Sequence, residues 1–259
     1  MNSRKVLKKL IMPLYRNSST VRYYISSLRM YIDNRSLRKN GTLFYSDFIK
    51  KGDLCFDIGA NYGNRIELFL LLGAKVIAVE PQDECVEYLK RKYRNKIIIE
   101  QKGVGAEHGI KDFYVNDASA LSTFSEDVKS NSIWGNGNFE LKDVRKIEII
   151  TLDSLIAQYG APSFIKIDVE GYEPEVMKGL SQKIKAMSFE YSTCVSNKNL
   201  IDCINHLAQI SDTITFNFSI GESMKLHSKK WYNKEHFMDI VKSDEFLKTT
   251  GGDIYVKFA

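Results

Sequence analysis

The segment that most limits the fold of this chain is LCFDIGANYG, residues 54–63. Its first half is typical of a buried strand, because one acid stands among four apolar residues. Gly59 and Gly63 then allow the backbone to turn and to approach a ligand without intervening side chains. Asn61 lies between them, and asparagine is one of the few other residues that tolerate left-handed backbone angles. The segment therefore predicts a strand that ends in a tight turn at a binding site.

The residues after this turn predict a helix and a second strand. An apolar helical pattern runs from Asn64 to Gly73, where glycine is a common C-terminal cap, and the strand Lys75–Val79 follows. Strand, glycine turn, helix and strand form half of a doubly wound α/β fold. The alternation continues along the chain. Further strands are predicted at residues 96–100, 111–115, 164–168, 186–191, 213–219 and 253–258. Helices are predicted at residues 85–93 and 200–209 and from residues 171–174 onward, and residues 147–155 are predicted to form a strand that leads into a helix capped by Asp153.

Two acids indicate the ligand. Asp57 would repel a phosphate group, but it favours a ligand that carries an ammonium and a sulfonium group. Glu80 follows the strand at residues 75–79, where an acid can accept hydrogen bonds from both hydroxyls of a ribose. S-adenosylmethionine meets both requirements, whereas NAD meets only the second. The pattern D-x-G-x-N-x-G therefore favours S-adenosylmethionine over a nicotinamide cofactor.

A second segment, FIKIDVEGYEP at residues 164–174, narrows the family. Together with the turn at residues 57–63 and the pair Glu80-Pro81, it resembles the FkbM-type methyltransferases, over about residues 48–190. The resemblance implies an α/β, class I methyltransferase (Rossmann-like) fold, with a mostly parallel doubly wound sheet and an antiparallel C-terminal strand. It also implies methyl transfer from S-adenosylmethionine to a hydroxyl oxygen. The cofactor-binding residues that it implies are Asp57, Gly59, Asn61, Gly63 and Glu80.

Acids follow four of the predicted strands, namely Asp57, Glu80, Asp168 with Glu170, and Glu190. In an open α/β sheet the ligand binds beyond the carboxyl ends of the strands, so these side chains are expected at one edge. Asp168 and Glu170 are the predicted catalytic residues, with Asp168 beside the methyl donor. A structural alternative pairs Asp168 with Lys166, since a buried lysine needs a partner, and makes Glu170 the cap of the next helix.

The acceptor chemistry requires a base. A hydroxyl must lose its proton as the new bond forms, so a base has to lie within hydrogen-bond reach. The candidates are Asp168, Glu170, Glu190 and His108. Asp168 and Glu170 could instead hold Mg²⁺. Because no third oxygen ligand stands at a telling spacing, no metal is predicted.

The chain is predicted to comprise a basic helical extension, residues 1–45, and one methyltransferase domain, residues 46–259. Its length of 259 residues and hydrophobic content of 44% suit one α/β domain with a sizeable core. Residues 116–146 differ in composition and are rich in Ser, Asn and Gly around Trp134. Two interpretations of this long loop stand, an insertion on the substrate side and a surface loop without a chemical role.

The formal net charge is +5, and much of the excess lies in the first forty residues. Attraction to an anionic membrane surface or glycan precursor is one explanation, but a solvated helical extension is simpler and is favoured. No apolar run is long enough to span a bilayer, and residues 1–14 lack the pattern of a signal peptide. The four cysteines lack metal or redox spacing, which predicts reduced thiols in a cytoplasmic protein.

The expected acceptor is a hydroxyl on a glycan or another small metabolite. A nucleic-acid methyltransferase is the enzymatic alternative, but only the basic N-terminus favours it and no reader motif accompanies that charge. A noncatalytic interaction module with the same fold is the second alternative. Such a module would be expected to have lost Gly59, Gly63 or Glu80, and all three are present.

Overall fold

The structure of the protein is a computed structural model that describes residues 38–116, 119–126, 141–193 and 197–258. Residues 38–45 are helical, and the chain from Phe44 onward belongs to one compact unit. The predicted N-terminal extension lies almost entirely outside the described residues, as do Trp134 and Cys194. The predicted boundary between residues 45 and 46 stays a prediction.

Two sheets are built from the strands of this unit, which are β1 (Leu54–Ile58), β2 (Lys75–Val79), β3 (Ile97–Glu100), β4 (Gly103–Val104), β5 (Gly109–Asn116), β6 (Leu141–Ile150), β7 (Phe164–Ile167), β8 (Ala186–Ser192), β9 (Ile214–Ile220) and β10 (Gly251–Phe258). The main sheet has the strand order β3-β2-β1-β7-β8-β10-β9. Its strands from β3 to β8 pair in parallel, and β10 runs antiparallel to both neighbours. The predicted fold, mostly parallel with an antiparallel C-terminal strand, is confirmed.

Helices connect the strands, namely α1 (Asn64–Leu71), α2 (Asp83–Tyr93), α3 (Leu152–Tyr159), α4 (Glu173–Lys178), α5 (Asn197–Ile210), α6 (Lys234–Val241) and α7 (Asp244–Leu247). Gly73 takes the left-handed conformation (φ 79°) just after α1, as predicted for a C-terminal cap. The short helices α6 and α7 were not predicted. Asn233 and Ser243 cap them by accepting backbone N–H groups, and these two residues are the sequence signal that locates both helices.

The predicted cap of α3, Asp153, is wrong. Thr151 caps this helix: its hydroxyl oxygen accepts a hydrogen bond from Ser154 N–H, and the Ser154 hydroxyl oxygen accepts one from Thr151 N–H (3.1 Å each). Asp153 lies in the first turn and accepts hydrogen bonds from the backbone N–H and the hydroxyl of Ser181 instead. The carboxylate of Asp153 therefore binds the segment after α4 rather than the N–H groups of α3.

The second sheet has the order β4-β6-β5, with β5 and β6 antiparallel. The segment predicted as an insertion, residues 116–146, therefore begins and ends in regular structure, because Asn116 closes β5 and residues 141–146 open β6. The run LKDVRK conceals the first part of this strand, since most of its side chains are exposed, and only the part from Ile147 onward was predicted. Lys146 and Asp112, which lie opposite each other in the β5–β6 ladder, form an ion pair (Nζ to Oδ1, 3.0 Å).

Apolar side chains cover both faces of the main sheet, as a parallel sheet requires. Alternate residues of β1 show this, because Phe56 and Ile58 belong to one buried cluster and Cys55 belongs to the other. In β7, Phe164 is in the same cluster as Cys55, and Lys166 shares its face of the sheet. Lys166 is fully buried, so a whole charge lies on an apolar face.

The three cysteines among the described residues, Cys55, Cys85 and Cys203, are buried and free of disulfide bonds. Burial raises the pKa of each thiol above its ordinary value, which makes these thiols poor nucleophiles. This agrees with the prediction of reduced, mostly buried thiols for these three residues. Among the described helices, none is long and apolar enough to cross a membrane. The cytoplasmic location stays a prediction.

Candidate active site

Acidic side chains gather at one edge of the main sheet. Asp57 is the penultimate residue of β1, Glu80 directly follows β2, Asp168 directly follows β7, and Glu190 lies near the end of β8. These four strands are neighbours and parallel, so their carboxyl ends meet at the same edge. Glu170 follows two residues after Asp168.

The turn after β1 is fixed by backbone hydrogen bonds to the end of β2. The N–H groups of Gly59 and Ala60 both donate to the carbonyl oxygen of Val79 (2.9 and 3.1 Å). Asn61 takes a left-handed conformation (φ 46°), which asparagine tolerates. Its N–H donates to Glu80 Oε2 (2.7 Å), so the two segments predicted to bind the cofactor are joined directly.

Gly59 and Gly63 both have left-handed backbone angles (φ 78°), and protein atoms fill the space where a side chain would lie. A Cβ atom on Gly59 would lie 1.8 Å from the carbonyl oxygen of Asp168, and one on Gly63 would lie 2.8 Å from the ring of Tyr93. Glycine was predicted here so that a ligand could approach the backbone, but in the structure the close neighbours are protein atoms. Gly59 allows the turn after β1 to pack against the turn that carries Asp168.

Asp57 carries an unsatisfied oxygen. The residue is 2% exposed, and its Oδ2 atom has no hydrogen-bond partner among the described residues. Burial raises the pKa of Asp57 to about 7, although the charges of Lys166 and Arg65 oppose this shift. An unpaired buried polar group costs about 1–3 kcal/mol, so this oxygen fits a cationic or N–H group supplied by a ligand.

Glu80 is held by the two segments on either side of it. Its Oε2 atom accepts from Asn61 N–H, and its Oε1 atom accepts from Gln82 N–H (2.9 Å). Burial nevertheless raises the pKa of Glu80 to about 7. Each carboxylate oxygen has a further lone pair, so the fixed side chain can still accept hydrogen bonds from two neighbouring hydroxyls.

Lys166 forms ion pairs with two carboxylates beneath the site. Its Nζ atom lies 2.7 Å from Asp253 Oδ1 and 3.3 Å from Asp168 Oδ2. The predicted pairing with Asp168 is thus present, but the sequence analysis missed the nearer partner. Asp253 reaches the site because β10 pairs with β8 and sets Asp253 opposite Glu190. The need for a second partner could have been inferred from the chemistry, because a fully buried ammonium group is costly unless close carboxylates compensate its charge.

Arg65, at the start of α1, extends this chain of charges. Its Nη2 atom lies 2.5 Å from Glu222 Oε2 and 3.8 Å from Asp253 Oδ2. The unfavourable position of a cation at a helix N-terminus is therefore offset by two carboxylates. Charges alternate from the exposed Glu222 through Arg65, Asp253 and Lys166 to Asp168.

Asp168, Glu170 and Glu190 present carboxylate oxygens that all lie within 4.8 Å of one another. Loss of water disfavours the charge of Asp168, but Lys166 and then Arg65 outweigh this and hold its pKa below the ordinary value. For Glu170, burial and then the charge of Asp168 raise the pKa to about 9, and the same two causes raise the pKa of Glu190. At neutral pH the cluster therefore holds an ionised Asp168 and a protonated Glu170, and the pKa of Glu190 is shifted in the same direction as that of Glu170.

This trio is also a set of oxygen ligands of the kind that divalent cations bind. Glu190 is the third oxygen ligand that sequence spacing did not reveal, and it joins the other two because β8 lies beside β7. The expectation of no metal stays a prediction.

The turn that carries Glu170 is braced by Glu173. Glu170 has a left-handed backbone (φ 53°), and Glu173 Oε1 accepts from the N–H groups of Val169 (3.1 Å) and Gly171 (3.3 Å). The alternative role of Glu170 as a helix cap does not hold, because α4 begins after Tyr172 without a side-chain cap. The side chain of Glu170 is left to the carboxylate cluster.

The other candidate base, His108, is exposed in the turn between β4 and β5 of the second sheet. The carboxylate cluster lies at the edge of the main sheet instead. The geometry therefore favours Asp168, Glu170 and Glu190 as the groups that act on an acceptor.

Fold and site together define the class of the protein. A mostly parallel sheet with an antiparallel last strand, a glycine turn after β1 and acids at the carboxyl edge are features of a class I methyltransferase. The sequence model of the methyltransferase FkbM domain matches residues 57–240, which is more than half of the chain. The chain belongs to this family of methyltransferases, and the predicted resemblance is confirmed.

Solved structures of related shape include other methyltransferases. Precorrin-6y C5,15-methyltransferase from Geobacter metallireducens is 9% identical, with 85% of this chain and 86% of that chain covered and a TM-score of 0.42. The plantazolicin methyltransferase BpumL, in complex with a pentazolic desmethylPZN analog and SAH, is 10% identical over 98% and 96% of the two chains, with a TM-score of 0.43. No curated protein sequence matches this chain. At such low similarity these neighbours indicate neither the substrate nor the mechanism.

Gly59→Ala tests the packing of the two turns. The added methyl group would meet the carbonyl oxygen of Asp168, so we expect the variant to lose both stability and cofactor affinity. Gly52→Ala is the matched control, because Gly52 also has a positive φ (88°) but has open space around its Cβ position. The control should lose only about 1–2 kcal/mol from its left-handed backbone. Equal losses in urea unfolding for the two variants would contradict the packing role.

Lys166→Met tests the buried ion pairs. Removing the ammonium group leaves Asp253 buried without its nearest counter-charge, so we expect a loss of about 3–5 kcal/mol in the free energy of unfolding. Lys185→Met is the control, since the Lys185 side chain is 59% exposed and lies 3.9 Å from Asp53. An exposed pair of this kind contributes only about 0–1 kcal/mol. A similar small loss for both variants would mean that Lys166 does not organise the site.

Glu173→Gln tests the pH dependence of stability. Burial raises the pKa of Glu173 from 4.5 to about 7, so the folded protein favours the protonated form. The resulting stability is fully present below about pH 4.5 and is lost as the pH rises through about 7. Glutamine can accept the same two backbone hydrogen bonds without titrating, so the melting temperature of the variant should fall less across this range. Glu175→Gln, on the same helix, is the control, and parallel curves for wild type and Glu173→Gln would refute the assignment.

Proposed function

We propose that the protein transfers a methyl group from S-adenosylmethionine to a hydroxyl of a glycan or other small metabolite. The observation that carries the proposal is the pair of buried acids, Asp57 and Glu80, on either side of the turn at residues 59–63. Both are aligned by neighbouring strands, and one of them keeps an unsatisfied oxygen. This is a receptor for a cation and a diol rather than for a phosphate.

The two acids match different parts of the proposed cofactor. Asp57 Oδ2, which lacks a partner among the described residues, fits the ammonium group of the methionine moiety. Glu80, fixed by the N–H groups of Asn61 and Gln82, fits the two hydroxyls of the ribose. When bound, S-adenosylmethionine supplies a methyl group that its sulfonium has already activated. The protein then has to place the acceptor oxygen in line with that group, and such alignment accounts for about 7–11 kcal/mol in well-oriented reactions.

Asp168 is proposed as the base. About a third of its side chain is exposed, and Lys166 keeps it ionised at neutral pH. As the oxygen–carbon bond forms and the carbon–sulfur bond of the donor breaks, the hydroxyl proton of the acceptor would pass to the carboxylate of Asp168. Burial and the charge of Asp168 favour the protonated forms of Glu170 and Glu190, which would donate hydrogen bonds to other oxygens of the acceptor. Several donors around one acceptor suit a polyhydroxylated molecule such as a sugar.

Calorimetry with S-adenosylmethionine and S-adenosylhomocysteine tests the cofactor, and transfer of a labelled methyl group into cell-extract fractions tests the acceptor. We expect both compounds to bind and the label to enter a methyl ether that resists mild alkali. Label released as methanol by alkali would indicate a carboxyl ester instead. Label in RNA or DNA, with a steep loss at higher salt, would indicate a nucleic-acid acceptor. Failure to bind either compound would refute the proposal.

Asp168→Asn tests the base. Asparagine preserves the shape of the side chain but removes its charge, so turnover should fall by about 10²–10⁴-fold. The fold should tolerate the change because Asp253 still pairs with Lys166 at 2.7 Å. Cofactor affinity should change far less than turnover. Single-turnover rates, cofactor affinity and melting temperature from one preparation separate these effects, and near wild-type turnover would exclude Asp168 as the base.

A further inference from the structure

The described residues 119–126, which we call the bridging segment, lie in the connection between β5 and β6. Phe124 anchors the segment in the core, with its ring centroid 4.6 Å from that of Phe113 and 5.5 Å from that of Tyr172. Thr123 exchanges two backbone hydrogen bonds with Tyr114 of β5 (2.9 and 3.1 Å). Three polar residues of the segment are buried as well, namely Ser122, Thr123 and Ser125. Buried hydroxyls require partners, and those of Ser122 and Thr123 are Gln82 and the carbonyl oxygen of Glu170.

On one side the bridging segment contacts the residues that hold Glu80. The side-chain amide of Gln82 donates to the carbonyl oxygen of Ser119 (3.0 Å) and accepts from the hydroxyl of Ser122 (3.0 Å). The hydroxyl of Ser119 also reaches Asn61 Oδ1 (3.5 Å). Gln82 and Asn61 are the two residues whose N–H groups donate to the Glu80 carboxylate. The segment therefore fixes the side chains of the same residues that orient this acid.

On the other side the bridging segment contacts the turn that carries Glu170. The hydroxyl of Thr123 donates to the carbonyl oxygen of Glu170 (2.9 Å) and accepts from Ser125 N–H (3.0 Å). This contact holds a residue whose backbone is in the left-handed region. Glu173 holds the N–H groups of the same turn, so the turn is braced at both its donors and its acceptor.

We propose that Gln82, which the bridging segment contacts on one side, and Thr123, through which the segment contacts the turn of Glu170 on the other, are positioning residues. Gln82 orients Glu80 toward the cofactor, and Thr123 orients Glu170 toward the acceptor. The inference rests on the proposed function, because it assigns those two acids to cofactor and acceptor. It also gives the segment a chemical role, which the sequence left open for residues 116–146. Substitutions of Gln82 and of Thr123 should therefore affect different kinetic constants.

Two substitutions test the roles of Gln82 and Thr123 separately. Gln82→Met keeps the length of the side chain and removes both of its hydrogen bonds, so KM and Kd for S-adenosylmethionine should rise about 3–10-fold at unchanged kcat. Thr123→Val keeps the shape and removes the hydroxyl, so kcat should fall about 3–10-fold at unchanged cofactor Kd. Thr123→Ser restores the hydroxyl and should restore kcat. Gln209→Ala, at an exposed position of α5, is the control and should change neither constant.

Kinetics and calorimetry on folded material decide the inference. If both variants change the same constant, or if Thr123→Ser behaves like Thr123→Val, the assignment of separate roles to Gln82 and Thr123 is overturned. Unchanged constants in both variants overturn it as well. Should Gln82→Met not fold, Ser122→Ala, which removes the hydroxyl that donates to Gln82 Oε1 without adding a charge, must show a rise in cofactor Kd at unchanged kcat. A wild-type protein that binds no S-adenosylmethionine would instead refute the proposed function.

Discussion

The active site depends on the ion pairs that the buried ammonium group of Lys166 forms with Asp253 and Asp168. This ammonium group lies on an apolar face of the sheet, where an unpaired charge would be prohibitively costly. Asp253 and Asp168 compensate it at 2.7 and 3.3 Å. Because this charge is fixed by the packing of β7, it holds the pKa of Asp168 below its ordinary value, whereas burial and the charge of Asp168 raise the pKa values of Glu170 and Glu190. The buried cation thus favours the ionised form of Asp168 beside two carboxyl groups whose protonated forms are favoured.

The remaining parts of the site are held by contacts between turns rather than by the strands alone. Gly59 brings the turn after β1 against the carbonyl oxygen of Asp168, which no side chain would permit. Asn61 ties that turn to Glu80. Thr123, in the connection between β5 and β6, ties the bridging segment to the turn of Glu170. A shift of one turn would consequently displace the others, so the groups proposed to bind the cofactor and the acceptor are mechanically linked.

The fold and the cofactor side could be read from the sequence because they depend on local patterns. A strand, a glycine turn and an acid after the next strand lie within 27 residues, and they placed Asp57 and Glu80 correctly at the sheet edge. The missing parts depend on contacts distant in sequence. Asp253 meets Lys166 only because β10 inserts beside β8, and the first part of β6, residues 141–146, was not predicted because most of its side chains are exposed. Sequence spacing likewise could not reveal that Glu190 completes the carboxylate cluster.

The most direct test of the account is the ionisation of Asp168 itself. Carbon-13 NMR of protein labelled at its aspartate carboxyl groups, with Asp168→Asn to assign the resonance, would follow this titration. The account predicts that Asp168 remains a carboxylate from about pH 8 to about pH 5 and titrates below the ordinary value for aspartate, about 3.9. A midpoint above that value would show that Lys166 does not hold the charge of Asp168 and would contradict the proposed division of roles among the three carboxyl groups.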